Sequence, residues 1–243
     1  MNRFFTDEPL VEGGTVTIEG EDAKHITRVL RLEKGDRVEL CDKNAAECDA
    51  VITDTEKERV RLRAENVRRS TAEPLTEVTL FQCLPKSGKM ELIIQKCVEM
   101  GVHSIVPVSS ARCVVKLDKK DSAARIQRCN RIAYEAAKQS KRGRVPEVKS
   151  VTELKKCALD GFDLVLTAYE LEKETTLKRA LTAHRDAHRI AVFIGPEGGF
   201  EAEEVNWLAE RWDAISVSLG SRILRTETAG MAVIAMLLYE LEG

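Results

Sequence analysis

The sequence predicts a two-part α/β protein, a small, mostly β domain followed by a larger domain built on a parallel sheet. Three observations lead there. The first 70 residues read as short β segments separated by turn signals. The stretch Ser70-Thr71-Ala72-Glu73-Pro74 is polar and breaks the pattern. Beyond it, buried-strand runs alternate with segments of helical periodicity, the signature of βαβ units. The boundary is therefore drawn after residue 72, dividing 1–72 from 73–243.

In the first part Gly13-Gly14 precedes TVTIEG and Lys34-Gly35-Asp36 precedes RVELCD, with DAVITD and RVRLRAENV following as further strands. Between the first two lies EDAKHITRVLR, where Ile26, Val29 and Leu30 recur at helical spacing. In the second part VTLFQCL reads as a buried strand. KMELIIQKCVEM reads as a helix with Leu92, Ile93, Cys97 and Met100 on one face and Gly101 as its C-cap, and SIVPVS as the next strand. Such a unit implies a right-handed crossover. Residues 121 to 142 predict a long helix with Ile126, Cys129, Ala133 and Ala136 inward and Arg128, Arg131, Glu135, Lys138 and Arg142 on other faces. FDLVLTAYE, RIAVFIGPEGGF and AISVSLGSRIL each give a strand running into a loop. EAEEVNWLAERW and TAGMAVIAMLLYEL give two more helices.

Composition excludes several classes. With 43% hydrophobic, 32% charged and 5% aromatic residues in 243, the chain can bury a core and is neither fibrous nor disordered. The longest nearly apolar run, Ala229 to Tyr239, is about half the roughly 20 residues that cross a bilayer, and the N-terminal residues have no apolar signal region. No membrane association and a cytoplasmic location are expected. Seven scattered cysteines without a CxxC pair suggest neither a disulfide framework nor a zinc site, and most are expected to be buried as small apolar residues. His184 and His188 have helical spacing but lack the glutamate of HExxH, so no metal is expected.

The net charge of −2 conceals an uneven distribution. From Lys86 to Lys149 there are 15 Lys/Arg and 6 Asp/Glu, a net of +9, whereas 1–70 carries −3 and 150–243 carries −6. A basic segment inside an acidic chain is either a solvated face or the footprint of a phosphate backbone.

Ligands of open parallel sheets bind outside the carboxyl ends of the strands, so the loops after strands hold the chemistry. Three loops stand out: Leu166-Thr167-Ala168, Gly195-Pro196-Glu197-Gly198-Gly199 and Leu219 through Thr226. The glycine loop lets backbone approach a ligand, but it matches neither GxGxxG nor the Walker pattern, and Glu197 would repel a phosphate. A ligand that is uncharged or cationic, with a ring and polar edges, suits it better. In the last loop Arg222 and Arg225 flank Ile223-Leu224, and Thr226 is placed to cap the following helix. An arginine at a helix start opposes the helix dipole, which points to a role outside the fold, unless it pairs with Glu227 or the acidic surface.

At this point FIGPEGGF (193–200) with LGSRILRTETA (219–229) resembles the SPOUT-type RNA methyltransferases, specifically the RsmE family, ribosomal RNA small subunit methyltransferase E. The likeness runs through Arg3-Phe4-Phe5, HITRVLRLEKGD, KSGKMELIIQKCVEMGV, SARCVVK and EAAKQSKRGRVPEV, and so spans essentially the whole chain. It implies a PUA-like β-barrel for RNA recognition in 1–72 and a SPOUT α/β domain with a deep trefoil knot in 73–243. It also implies a homodimer, S-adenosylmethionine as cofactor, and methylation of uridine N3 in small-subunit ribosomal RNA, on naked RNA or an assembled subunit. The alternatives are a SPOUT enzyme acting at another RNA position and a non-catalytic RNA-binding assembly factor.

Carried over by position, cofactor contacts are expected from Leu166, Thr167, Ala168, Gly195, Pro196, Glu197, Gly198, Leu219, Gly220, Ile223, Leu224, Thr226 and Ala229. Arg225 is the first choice for orienting uracil and stabilising charge on its carbonyl oxygens. Glu135 and Gln139, one helical turn apart, and Arg3 are further active-site candidates. Arg28, Arg31, Lys86, Lys89, Arg112, Lys116, Arg128 and Arg142 are the expected phosphate contacts.

Overall fold

The computed structural model describes residues 1–42, 44–86, 88–115 and 119–242. The expected phosphate contact Lys116 lies outside them. The chain divides into two units: Met1–Glu73 with Ala137–Val145, and Pro74–Ala136 with Pro146–Gly243. The first break falls beside the polar stretch at Pro74. Residues 137–145, placed by sequence in the second domain, pack with the first unit instead, so neither unit is a single run of chain.

The first unit holds β1 (Arg3–Phe5), β2 (Thr15–Glu19), β3 (Arg37–Cys41), β4 (Ala46–Thr55) and β5 (Arg59–Arg69) in one sheet of order β1-β3-β4-β5-β2. All pairings are antiparallel except β1 with β3. Inward and outward residues alternate along β5, and Val60, Leu62 and Ala64 join Val38, Leu40, Ala50 and Ile52 in a core closed by Phe4 and Ile26. The segment between β2 and β3 is helical as expected, but in two pieces. A short helix α1 (Gly20–Lys24) runs into a π-helical turn over His25–Val29. The wider turn changes the register, so Ile26 is buried while Val29, expected inward, is 69% exposed.

The second unit is a parallel sheet built from β6 (Glu77–Cys83), β7 (Ser104–Ser109), β8 (Glu147–Val148), β9 (Thr152–Glu153), β10 (Leu164–Ala168), β11 (Arg189–Ile194) and β12 (Ile215–Val217). Its order is β12-β10-β11-β6-β7-β8, with β9 also pairing with β7. The helices are α2 (Lys89–Glu99), α3 (Lys119–Gln139), α4 (Leu177–Ala183), α5 (Ala202–Trp212) and α6 (Thr226–Glu242). Alternate residues of each strand face opposite sides. Phe81, Ala191 and Phe193 meet Val205 and Leu208 of α5, whereas Leu80 and Gln82 meet Gly230 of α6. Helix α2 packs on α6, with Met90, Ile93, Ile94, Cys97 and Val98 inward. The expected face shared only Ile93 and Cys97 with this one; Leu92 and Met100 remain 43% and 38% exposed. Gly101, the expected cap, does take the left-handed conformation, φ +104°, that ends α2. The helix α4 and the short strands β8 and β9 had no sequence signal strong enough to predict them. All seven cysteines are free and buried.

Candidate cofactor cleft and RNA-contact residues

The carboxyl-end loops of β10, β11 and β12 converge on one cleft of about 1020 Å³, at the upper end of the range for small-molecule sites. Its wall contains the glycine loop, residues 195–199, and the whole of 217–226, with Ala229 behind. Of the residues expected around a cofactor, Ala168, Gly195, Pro196, Glu197, Gly198, Leu219, Gly220, Ile223, Leu224, Thr226 and Ala229 line it. Leu166 and Thr167 do not. They sit two and one residues before Ala168 inside β10, fully buried, where the strand is already covered on both faces. Tyr169, Glu170, Glu172, Lys173 and Thr176 also line the cleft and went unrecognised. The loop after this strand is expected at 166–168, but β10 runs to Ala168 and the loop begins at Tyr169, three residues later, so the cleft residues that follow fall outside the expected loop; the Tyr169-Glu170 pair is the available signal.

The cleft is held open by a short chain of hydrogen bonds. Thr226 does not cap its helix as expected. Its buried hydroxyl donates to the Gly195 carbonyl at 2.6 Å and accepts from Gln82 Nε2 at 2.9 Å, fastening the start of α6 to the glycine loop. On the outer side Arg112 Nη1 donates to the Gly198 carbonyl at 2.8 Å, so this expected phosphate contact supports the loop directly. Glu197 accepts from the Lys86 amide at 3.1 Å and pairs with Lys89 at 3.1 Å, and Lys89 lies 3.1 Å from Glu227 as well. Burial favours the protonated form of Glu197, but its own amide, Lys89 and the Lys86 amide together hold the carboxyl below its usual value. The Glu227 and Glu197 carboxylates hold the Lys89 ammonium above its usual value. Lys89 is therefore a cleft-side counter-charge rather than the expected free phosphate contact.

Arg225 lines the same cleft, exposed, and its guanidinium makes no hydrogen bond or ion pair among the described residues. The pairing with Glu227 considered from sequence does not occur, because Glu227 faces Lys89. Ile223, beside it in the loop, is 84% exposed, unusual for an isoleucine at a structural turn. Glu135 and Gln139 are exposed on α3.

Two expected site residues are structural instead. Arg3 is only 7% exposed. Its guanidinium bonds the Lys141 and Arg142 carbonyls at 2.7 and 2.8 Å and the Glu47 and Glu39 carboxylates at 2.9 and 3.3 Å, which commits four of its five donors to the fold. Arg142, 2% exposed, makes a bidentate pair with Glu73 at 2.8 Å on each arm, while the Gly143 amide donates to the same carboxylate. Neither can reach a phosphate. Arg28, Arg31 and Lys86 are exposed, and Arg128 is exposed with Glu91 at 2.9 Å.

A parallel sheet with a glycine-walled cleft at its carboxyl edge, joined to a separate β unit, is shared with RNA methyltransferases. The family model described as an RNA methyltransferase domain matches residues 71–238, and the one described as an RNA methyltransferase PUA domain matches 18–65. Ribosomal RNA small subunit methyltransferase E of Bacillus subtilis is 33% identical over 251 aligned positions, covering 100% of this chain and 98% of that protein. Its namesake from Rickettsia conorii is 28% identical, with 96% and 93% covered. Among solved structures, ribosomal RNA small subunit methyltransferase E from Neisseria gonorrhoeae bound to S-adenosyl methionine has a TM-score of 0.84 at 31% identity, covering 98% of this chain and 96% of that one. A methyltransferase from Legionella pneumophila in complex with the same cofactor has a TM-score of 0.82 at 29% identity, with 97% and 96% covered. The chain belongs to the ribosomal RNA small subunit methyltransferase E family.

Proposed function

We propose that the protein transfers a methyl group from S-adenosylmethionine to N3 of a uridine in small-subunit ribosomal RNA, on the assembled subunit, acting in the cytoplasm as a homodimer with the knotted chain path implied by the resemblance. The observation that carries the reading is the meeting of the 195–199 and 217–226 loops in one cleft. Both motifs that carry the family resemblance thereby face a single ligand volume. The cleft suits the cofactor in size and in chemistry: glycine backbone for a ring and its polar edges, and Leu219, Ile223 and Leu224 as apolar wall.

When bound, the cofactor supplies an electrophilic methyl group on a sulfonium. The cleft's own residues do the rest. Gly195, Pro196, Gly198 and Gly220 expose backbone to the ligand, and the Thr226 hydroxyl holds Gly195 in register with α6. Uracil N3 carries an imide proton and must lose it before or during transfer, which places negative charge on the flanking carbonyl oxygens. Arg225, unpaired at the cleft, is the group that stabilises this charge and orients the ring. Glu135 and Gln139 are weaker candidates for contacts to the base. The 1–72 region, with Arg28 and Arg31 exposed, and Lys86 and Arg128 in the second unit are the proposed RNA contacts.

The test is incubation of purified protein with methyl-labelled S-adenosylmethionine and unmodified small subunits, with naked RNA in parallel, followed by nucleoside analysis. Labelled N3-methyluridine on subunits is expected. Label in a different nucleoside would overturn the position, and label on naked RNA alone would overturn the assembled-subunit substrate.

A further inference from the structure

Three carboxylates line the cleft, and two are already engaged. Glu197 pairs with Lys89 and accepts from the Lys86 amide. Glu172 accepts from the Glu174 and Thr175 amides at 2.8 and 2.9 Å, which shapes its own loop. Glu170 makes no hydrogen bond or ion pair among the described residues, and no cation of the cleft lies within ion-pair distance of it.

Its position is specific. The carboxylate lies over the backbone of Gly199, where a β-carbon would come within 2.9 Å of the Glu170 carboxyl carbon. Gly199 also takes φ +68°, a conformation that disfavours any side chain. The glycine therefore leaves the space that Glu170 fills, and the negative charge projects into a concave wall. A cleft focuses the field of such a charge and attracts a cation of the ligand.

We infer that Glu170 is the residue that pairs with the positive charge of the cofactor, its sulfonium or its α-ammonium, and so selects the charged cofactor over neutral adenosine compounds. Glu197, the acidic residue of the glycine loop, is not that group, because Lys89 already balances its carboxylate. The assignment rests on the proposal that this cleft takes S-adenosylmethionine.

Calorimetric titration of the full chain and of Glu170→Gln with S-adenosylmethionine, S-adenosylhomocysteine and methylthioadenosine tests it. The last compound lacks both charges. Glu170→Gln should weaken S-adenosylmethionine about fivefold or more, the scale of one partly exposed ion pair, and leave methylthioadenosine unchanged. An unchanged S-adenosylhomocysteine affinity would place the contact at the sulfonium, and an equal loss would place it at the ammonium. Unaltered S-adenosylmethionine binding, or an equal loss for methylthioadenosine, would overturn the inference. Failure of the unmodified protein to bind S-adenosylmethionine would instead overturn the cofactor reading beneath it.

Discussion

Arg225 illustrates how a single residue's role follows from what it does not touch. It stands at the start of α6, where the helix dipole disfavours a cation, and Glu227, the nearby carboxylate in sequence, is taken by Lys89. A charge held without an internal partner at the edge of a cleft is available to a substrate. Arg225→Ala is expected to leave cofactor affinity nearly unchanged while kcat/KM for methyl transfer falls at least roughly tenfold, as for loss of an interaction made in the transition state. Normal turnover in single-turnover assays would remove it from the mechanism. Arg3 and Arg142 show the opposite case. In sequence they are basic residues in family-like motifs, and only burial distinguishes them from surface contacts.

At the scale of the element, α3 and the turn after it decide where the first unit ends. Residues 137–145 pack with Met1–Glu73, through Arg142 with Glu73, Lys141 with Glu39 at 2.6 Å and Lys138 with Asp22 at 3.0 Å. Of these the Arg142 pair is the most buried, and removing the arginine leaves the largely buried Glu73 carboxylate without its counter-charge. Arg142→Ala is expected to lower stability by about 3 kcal/mol in urea unfolding, whereas Arg131→Ala, exposed on the preceding helix α3, should leave the midpoint in place. Equal effects would mean that Glu73 is not held by Arg142. The faces of α2 carry a related lesson. Its apolar residues cover more than one stripe, and the choice between Leu92 with Met100 and Met90 with Ile94 depends on where α6 lies.

Across the molecule, the basic middle segment is divided between internal ion pairs and exposed cations. Lys138, Lys141 and Arg142 neutralise carboxylates of the first unit, Lys89 serves the cleft, and Lys96 pairs with Glu99 at 2.9 Å. The +9 therefore overstates the charge available to a polyanion. The exposed cations that remain, with Arg28 and Arg31, are the ones expected to release counterions. Neutralising Arg28 and Arg31 together should reduce the slope of log K against log salt for RNA binding by about 2, while Arg142→Ala should leave it unchanged. An unaltered slope in the double variant would show that these arginines face away from RNA.

Legible in the sequence are the two-part class, the strands β6, β7, β10, β11 and β12 of the parallel sheet, the helix ends at Gly101 and Glu201, and two of the cleft's loops, 195–199 and 219–226. Those features are local: they depend on apolar period, turn chemistry and motif, which neighbours in the chain encode. Which basic residues are free is visible only in the folded chain, since Arg3 and Arg225 look alike until the carboxylates around one and the solvent around the other are known. The same holds for which carboxylate of the cleft is unpaired. Charge pairing is set by contacts across long stretches of chain, such as Lys89 with Glu197 and Glu227, and composition carries no record of them.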